Sequence, residues 1–184
     1  MIKIVALFGK AGSGKDTLQN LLAESLDVNP IVSATTRPPR DTEVDGEAYH
    51  FKTDDNFFDG GMVEYTKFRG WYYGTPYSSL DKDKVNIGVF NIAGIKQLKR
   101  SGIVEVLPVY VYATDKTRLL RQLNREECPD CDEICRRFQT DKEDFDKQNI
   151  TFNYLTLYND CDICETLETA AQIISNWDDS VNFK

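Results

Sequence analysis

Hydrophobic residues along the chain alternate between short continuous runs and helical spacings. The run Ile2–Phe8 is almost entirely apolar and rich in β-branched residues, which predicts a buried strand. Residues 17–26 then carry leucines at positions 18, 21, 22 and 26, the spacing of one face of a helix. A glycine-rich segment separates the two, so the chain opens as strand, loop and helix.

The same pattern predicts a layered fold for the rest of the chain. Further strands are expected at residues 31–34, 85–90, 104–112 and 152–158, and further helices at residues 92–100, 116–123, 132–148 and 166–177. Alternating strands and helices produce a parallel sheet with helices on both faces. We therefore predict a single α/β domain, a three-layer α/β/α core with a five-stranded parallel sheet.

Residues 35–79 interrupt this alternation. They are polar and loop-rich, with strand-like pieces at 49–51, 62–68 and 71–73. We expect them to form a flap inserted into a core made of residues 1–34, 80–123 and 149–184.

Composition and charge limit the kinds of molecule that the protein is expected to bind. The 184 residues carry a net charge of −8, which argues against nucleic-acid binding through bulk charge, although a local cluster of Arg and Lys still suits a small anion. The longest apolar runs have strand length, far below the roughly 20 residues of a membrane-spanning helix. The first run ends in glycines rather than in a signal-peptide cleavage site, so we expect a cytoplasmic protein with its five cysteines reduced.

The opening loop carries the clearest chemical signal. It fits the pattern G-x-x-x-x-G-K with the residues Gly9, Lys10, Ala11, Gly12, Ser13, Gly14 and Lys15. The backbone N–H groups of such a loop point at phosphate oxygens, and the positive end of the following helix adds to them. Lys15 would reach the β- and γ-phosphates of ATP. The strand before and the helix after favour this interpretation over a glycine turn with an incidental lysine.

The residue after Lys15 departs from the usual pattern. A Ser or Thr hydroxyl normally ligates Mg²⁺ there, whereas this chain has Asp16 followed by Thr17. A carboxylate is also a good ligand for a hard cation, so Asp16 or Thr17 would hold Mg²⁺, directly or through water. The alternative that Asp16 only helps to cap the helix has equal weight.

The flap carries a second group of residues suited to phosphate. Arg37 and Arg40 flank Pro38-Pro39, which stiffens the loop and presets its backbone angles. Rigidly held arginines suit bidentate binding of a phosphate. Farther along, Glu64 lies in a strand-like piece ahead of a Tyr-Tyr-Gly-Thr segment that ends at Thr75.

Together these segments resemble the guanylate kinases. The matching positions in and near the flap are Ser33, Thr35, Thr36, Arg37, Pro39, Arg40, Glu43, Gly46, Tyr49, Phe51, Glu64, Tyr72, Tyr73, Gly74 and Thr75. The resemblance extends over nearly the whole chain, including "NREE", a later "RRF" and "YLTLYND".

The resemblance implies a role for each matching position. The acceptor phosphate would be held by Arg37, Arg40, Tyr49 and Tyr73, and the base would be recognised by Ser33, Glu64 and Thr75. A lid at about residues 124–148 would close on the transferring phosphates with Arg121, Arg125 and Arg137. Asn159 and Asp160 would lie beside the adenine of the donor. Asn91 stands where the family typically has an Asp near Mg²⁺ and the phosphates, and we expect it to contact the acceptor nucleotide.

The chemistry of guanine supports the base assignment independently. Guanine offers two adjacent donors, N1–H and the exocyclic amine, and one carboxylate such as Glu64 accepts both. Adenine lacks both donors and would leave the carboxylate partly unpaired, a cost of about 1–3 kcal/mol or more. The hydroxyls of Ser33 and Thr75 can donate to O6. The plain alternative for Glu64 is an exposed strand carboxylate.

The predicted activity is ATP-dependent phosphorylation of GMP or dGMP, with Lys15, Arg37, Arg125 and Arg137 as the catalytic residues. Its partners would be small nucleotides, without nucleic acid or membrane, and the protein would be a monomer or a homodimer. One alternative is a kinase with another or a broader base preference, motivated by Asp16, Asn91 and Trp71. A non-catalytic module of the same fold is disfavoured by the intact phosphate loop.

The cysteines suggest a metal site that we do not favour. Cys128, Cys131, Cys161 and Cys164 form two Cys-x-x-Cys pairs, the kind of set that holds zinc. The second pair lies outside the lid, and spacing alone does not establish a tetrahedral site. We expect scattered free thiols instead.

Overall fold

A computed structural model describes residues 1–39, 43–125, 127–146, 148–160, 162–182 and 184. The strands in chain order are β1 (Ile2–Phe8), β2 (Asn29–Pro30), β3 (Ala34–Thr35), β4 (His50–Phe51), β5 (Met62–Phe68), β6 (Trp71–Pro76), β7 (Asn86–Val89), β8 (Val104–Tyr112) and β9 (Leu155–Tyr158). The α-helices are α1 (Lys15–Ser25), α2 (Ile92–Ser101), α3 (Asp115–Leu123), α4 (Cys131–Asp144) and α5 (Ile163–Trp177).

The core is a five-stranded sheet in the order β2-β7-β1-β8-β9, and every neighbouring pair is parallel. Side chains of β1 alternate between the two faces of this sheet. Val5 and Leu7 pack with residues of α1 and α5, whereas Ile4 and Phe8 pack with residues of α2. The predicted three-layer α/β/α architecture is therefore confirmed.

A second sheet has the order β4-β3-β6-β5. Strands β5 and β6 form an antiparallel hairpin, β3 pairs with β6, and β4 runs parallel to β3. The hairpin turns at Arg69, whose backbone has a positive φ of 53°. The strands of this second sheet lie along the chain between the core strands β2 and β7, so we call it the inserted sheet.

The predicted core strand at residues 31–34 was wrong. The chain pairs with the core sheet at Asn29–Pro30, and Ile31 adds one hydrogen bond from its N–H to the carbonyl of Ile87 at 2.8 Å. Pro30 has no N–H to extend a ladder. The chain then crosses to the second sheet, where Ala34–Thr35 forms β3.

The helical predictions hold with shifted ends. Helix α4 ends at Asp144 rather than at residue 148, and α5 begins at Ile163 rather than at residue 166 because the side chain of Asp162 caps it by accepting from the N–H of Cys164. Strand β9 begins at Leu155 rather than at residue 152. Among the described helices, none combines the length and the apolar character that crossing a bilayer requires.

Candidate active site

The phosphate loop follows the carboxyl end of β1, the central strand, and leads into α1. Two of its glycines are required by geometry. Gly12 and Gly14 have positive φ angles of 77° and 90°, and a Cβ on either one would lie 2.6 Å from the carbonyl oxygen of Arg118 or 2.5 Å from Nδ2 of Asn159, respectively. No other residue fits at either position without movement of these neighbours. The loop is thus built against α3 and the segment after β9.

Lys15 is the first residue of α1 and folds back over the loop. Its Nζ donates to the carbonyl of Lys10 at 3.0 Å, and Oγ of Ser13 lies 3.5 Å away. Burial lowers the pKa of Lys15, and the nearby carboxylates of Asp16 and Asp141 oppose that shift. The ammonium group therefore lies in a poorly solvated place where an added anion is strongly attracted.

One cavity of about 680 Å³ lies on the outer side of the loop. Most residues predicted for the donor line it, namely Ala11, Gly12, Gly14, Lys15, Asp16, Thr17, Arg121, Arg125, Arg137 and Asn159. Asn159 also donates through Nδ2 to the carbonyl of Ser13 at 2.8 Å, which fixes the floor of the cavity. Asp160 lies elsewhere, where its carboxylate accepts from the N–H of Thr114 at 2.8 Å.

A second cavity of about 390 Å³ lies between the core and the inserted sheet. The predicted acceptor residues that line it are Ser33, Tyr49, Glu64, Tyr73 and Asn91. Gly9 and Lys15 line it as well. Lys15 therefore lines both cavities.

Arg37 is not among the residues that line the second cavity, but it lies next to Tyr49, which is. Its guanidinium carbon is 5.5 Å from the ring centroid of Tyr49 and 5.8 Å from that of Phe51. Nη2 is 2.9 Å from Oε1 of Glu43, and this ion pair raises the pKa of Arg37. An incoming phosphate would compete with Glu43 for this arginine. Arg40 falls outside the described residues.

Glu64 is buried and has only 7% of its surface exposed, so it is not an exposed strand carboxylate. Its Oε1 accepts from Oγ1 of Thr75 at 2.8 Å. Burial raises the pKa of Glu64 to about 7, and the bonds from Thr75 offset part of that shift. Near neutral pH both the protonated and the ionised form of Glu64 are therefore populated.

The start of α2 packs directly against this carboxyl group. A Cβ on Gly94 would lie 2.6 Å from Oε2 of Glu64, so only glycine leaves room for the carboxyl there. Asn91 caps the helix, accepting from the N–H of Gly94 at 2.7 Å and donating to Oγ1 of Thr66 at 2.9 Å. Sequence reasoning missed Gly94, although a glycine inside the first turn of a helix signals a close approach.

Of the three arginines predicted for the lid, Arg137 is held by a carboxylate, and Arg121 donates to the carbonyl of Ser13 at 3.4 Å. Glu133 of α4 accepts from Arg136 and, at 2.7 Å, from Nε of Arg137, and it also accepts from Nη2 of Arg69 at 2.8 Å. These guanidinium groups hold the pKa of Glu133 far below its usual range. Because Arg69 lies in the turn of the β5–β6 hairpin, Glu133 joins the inserted sheet to α4. The sequence pattern did not indicate this residue.

The oxygen ligands beside the loop suit a hard cation. Asp16 and Thr17 are exposed in the first turn of α1 and line the donor cavity. A carboxylate and a hydroxyl fit Mg²⁺, which is commonly held by one or two protein oxygens together with substrate phosphates. The exposed position of Asp16 in the first turn is equally compatible with a role in stabilising the helix end.

The cysteine set is only partly described. Cys128, Cys131 and Cys164 are exposed thiols, and Cys161 falls outside the described residues. Among the residues that the structure covers, no three His, Cys, Asp or Glu side chains come together in a way that would hold a metal ion.

The core is a parallel sheet, and a glycine–lysine loop follows its central strand. The lysine of this loop lines both cavities. This arrangement defines a kinase of the phosphate-loop class that acts on a small nucleotide. The model of the family described as guanylate kinase matches residues 1–176. The chain belongs to the guanylate kinase family.

Individual relatives agree with this assignment. A guanylate kinase of Ruegeria is 31% identical over 183 residues, which cover 94% of this chain and 82% of the relative. One of Nostoc is 32% identical over 151 residues, 77% of this chain and 75% of the relative. The crystal structure of guanylate kinase from Anaplasma phagocytophilum shares the fold, with a TM-score of 0.66 at 19% identity over 96% of this chain and 86% of that one.

Proposed function

We propose that the protein transfers the terminal phosphoryl group of ATP to GMP or dGMP. The observation that carries this proposal is the position of Lys15, which lines both the donor and the acceptor cavity. Phosphates held by the loop and a monophosphate held beside Tyr49 and Tyr73 would meet at one ammonium group. The relatives and the family model support guanine nucleotide as the acceptor.

The chain's residues align the two phosphates and neutralise charge, which is most of what phosphoryl transfer requires. Lys15 and the loop amides hold the donor phosphates. Arg37 and the two tyrosines hold the acceptor phosphate in line, together with Arg40. Arg125 and Arg137 close over the transferring group and exclude water, a small competing acceptor. For this step Arg137 exchanges Glu133 for phosphate oxygens.

Mg²⁺ would be held by Asp16 or Thr17 together with the donor phosphates, and when bound it supplies positive charge to the β- and γ-oxygens. Lys15 and the arginines orient the same oxygens from the protein side. Zinc has no part in the proposal.

The buried Glu64 explains the choice of base. As a carboxylate it accepts from N1–H and the exocyclic amine of guanine, and the bond from Thr75 holds it in place for that purpose. Ser33 lies in the same cavity, where its hydroxyl can donate to O6. Adenine would bury the carboxylate without a partner, which is costly in a poorly solvated pocket.

The alternative of another or a broader base preference receives less support. Asp16 lies on the donor side, and Trp71 is a partly exposed residue of β6 outside the lining of the acceptor cavity. Neither departure from the family pattern gives a reason for another base. Asn91 lines the cavity, but its side chain caps α2. We further propose that the protein acts in the cytoplasm, as a monomer or a homodimer, on small nucleotides and without nucleic acid.

A substrate panel tests the proposed function. Purified protein with ATP and Mg²⁺ is offered GMP, dGMP, AMP, CMP, UMP and dTMP, and nucleoside diphosphate formation is measured. We expect kcat/KM for GMP or dGMP to exceed that for AMP by at least about 10³-fold, because a site built to hydrogen-bond a donor edge rejects a base that lacks it. Preferred turnover of AMP or a pyrimidine, or no turnover of either guanine nucleotide, would overturn the proposal.

A further inference from the structure

The backbone N–H and the backbone carbonyl of Ala11 are both held by side chains from outside the phosphate loop. The N–H of Ala11 donates to Oδ2 of Asp141 at 2.8 Å, and its carbonyl accepts from Nε of Arg118 at 2.9 Å. Amides of such loops usually point at the ligand. Here one amide in the first half of the loop is directed to a carboxylate of the lid helix instead.

Arg118 is the largest fully buried side chain of the protein's described residues, with 1% exposure. Besides Ala11 it donates to Asp115 at 2.9 Å and to Asp141, and its guanidinium lies 4.7 Å from the ring centroid of Phe138. A guanidinium so completely desolvated is maintained only where its donors are paired. Arg118 thus fills the space between the loop, α3 and α4.

Asp141 connects this arrangement to the reacting groups. It lines the acceptor cavity together with Lys15, and it borders a further hollow with Ala11 and Arg137. Arg137 lies one helical turn before Asp141 in α4. Because both residues belong to one helix, the hydrogen bond between Asp141 and the loop also sets the distance from Arg137 to the loop.

We propose that Arg118 and Asp141 are positioning residues for the donor nucleotide, which together fix the conformation of the phosphate loop at Ala11 and attach the carboxyl half of the lid helix to it. The proposal rests on the proposed function only in taking this loop as the donor site. It assigns the pair a role in binding ATP, and Asp141 also lines the acceptor cavity.

A double-mutant cycle separates positioning from simple stability. We expect Arg118→Met and Asp141→Leu each to lower the unfolding temperature, because each leaves its partner buried and unpaired. The double variant restores most of the unfolding temperature, because an apolar pair of similar volume replaces the ion pair. It does not restore ATP affinity, because Ala11 has lost both of its anchors.

The readout is the Kd for ATP and for GMP, measured separately by calorimetry on the complete protein. In the double variant we expect the Kd for ATP to rise about ten-fold, the effect of losing hydrogen bonds to charged groups. The Kd for GMP should rise clearly less, by about three-fold at most, although Asp141 also lines the acceptor cavity. Asp141→Asn retains an acceptor oxygen for the Ala11 N–H and should keep most of the ATP affinity. Asp115→Ala removes an exposed partner of Arg118 that does not touch the loop, and should leave both constants unchanged.

A double variant with a recovered unfolding temperature and a Kd for ATP within about two-fold of wild type would overturn the proposal, and so would equal losses for ATP and GMP. These outcomes are independent of the proposed function, whose failure would appear as a wild type that binds ATP but does not phosphorylate guanine nucleotides.

Discussion

Replacing Lys15 by Met is expected to lower kcat for GMP phosphorylation by about 10³-fold, because it removes a poorly solvated charge from the point where donor and acceptor phosphates meet. The apolar part of the side chain is retained, and Lys15 is held by the loop carbonyl of Lys10 rather than by the core. The unfolding temperature should therefore change little. Steady-state kinetics and thermal unfolding of the same preparation measure both quantities.

The matched control for this variant is Lys116→Met, which removes an exposed lysine from α3. It should retain wild-type kcat and KM values. A Lys15→Met variant that turns over at more than about a tenth of the wild-type rate would show that the transition state gains little from this ammonium group.

Replacing Glu64 by Gln is expected to lower kcat/KM for GMP by about 100-fold or more, because an amide N–H then faces the donor edge of guanine. The remaining carbonyl oxygen can still accept from Thr75, so the pocket keeps its shape. The KM for ATP should stay within about two-fold of wild type. Equal losses for GMP and ATP would remove Glu64 from base recognition.

The raised pKa of Glu64 adds a pH signature to this variant. In the folded protein without nucleotide the pKa of Glu64 is about 7, against an ordinary 4.5. The protonated form of Glu64 therefore contributes its full share to the free energy of unfolding below pH 4.5, and this share is lost as the pH rises through 7. At pH 8 we therefore expect Glu64→Gln to be more stable than wild type by about 3 kcal/mol, and at pH 4.5 to show no such gain. The KM for GMP of wild type should rise as the pH falls below 7, while that of the variant should not.

Glu105→Gln is the matched control, because Glu105 is an exposed carboxylate on a strand. It should show neither the stability gain at pH 8 nor a change in kinetics. If Glu64→Gln changes the free energy of unfolding equally at both pH values, burial of the ionised Glu64 carboxylate does not destabilise the folded protein, and the account is contradicted.

The sequence predicted the parts of the molecule that depend on local chemistry. The strand, glycine loop and helix around Lys15 follow from hydrophobic spacing and from backbone angles that only glycine adopts readily. The alternation of strands and helices gave the parallel sheet. Most residues expected at the two cavities do line them, but Asp160 and Arg37 do not. Thr75, expected to donate to the base, is fully buried and donates to Glu64 instead, and Arg40 falls outside the described residues.

The rest depends on contacts between distant segments. Arg118, Asp141 and Glu133 lie on helices where charged residues are usually solvated, and nothing in their spacing indicates that Arg118 is buried against the phosphate loop. The break after Pro30 was hidden because the apolar residues continue to position 32 while the chain changes sheets. Tertiary pairing overrode the local pattern in each case.

The central claim is that donor and acceptor phosphates meet directly at Lys15, and a single ligand tests it. Adenosine and guanosine joined through five phosphates would occupy both cavities at once. By titration calorimetry we expect one molecule per chain, a Kd at least about 100-fold below that of ATP, and no binding of ATP or GMP to the saturated protein. A Kd no lower than that of ATP, or GMP binding to the saturated protein, would contradict the account.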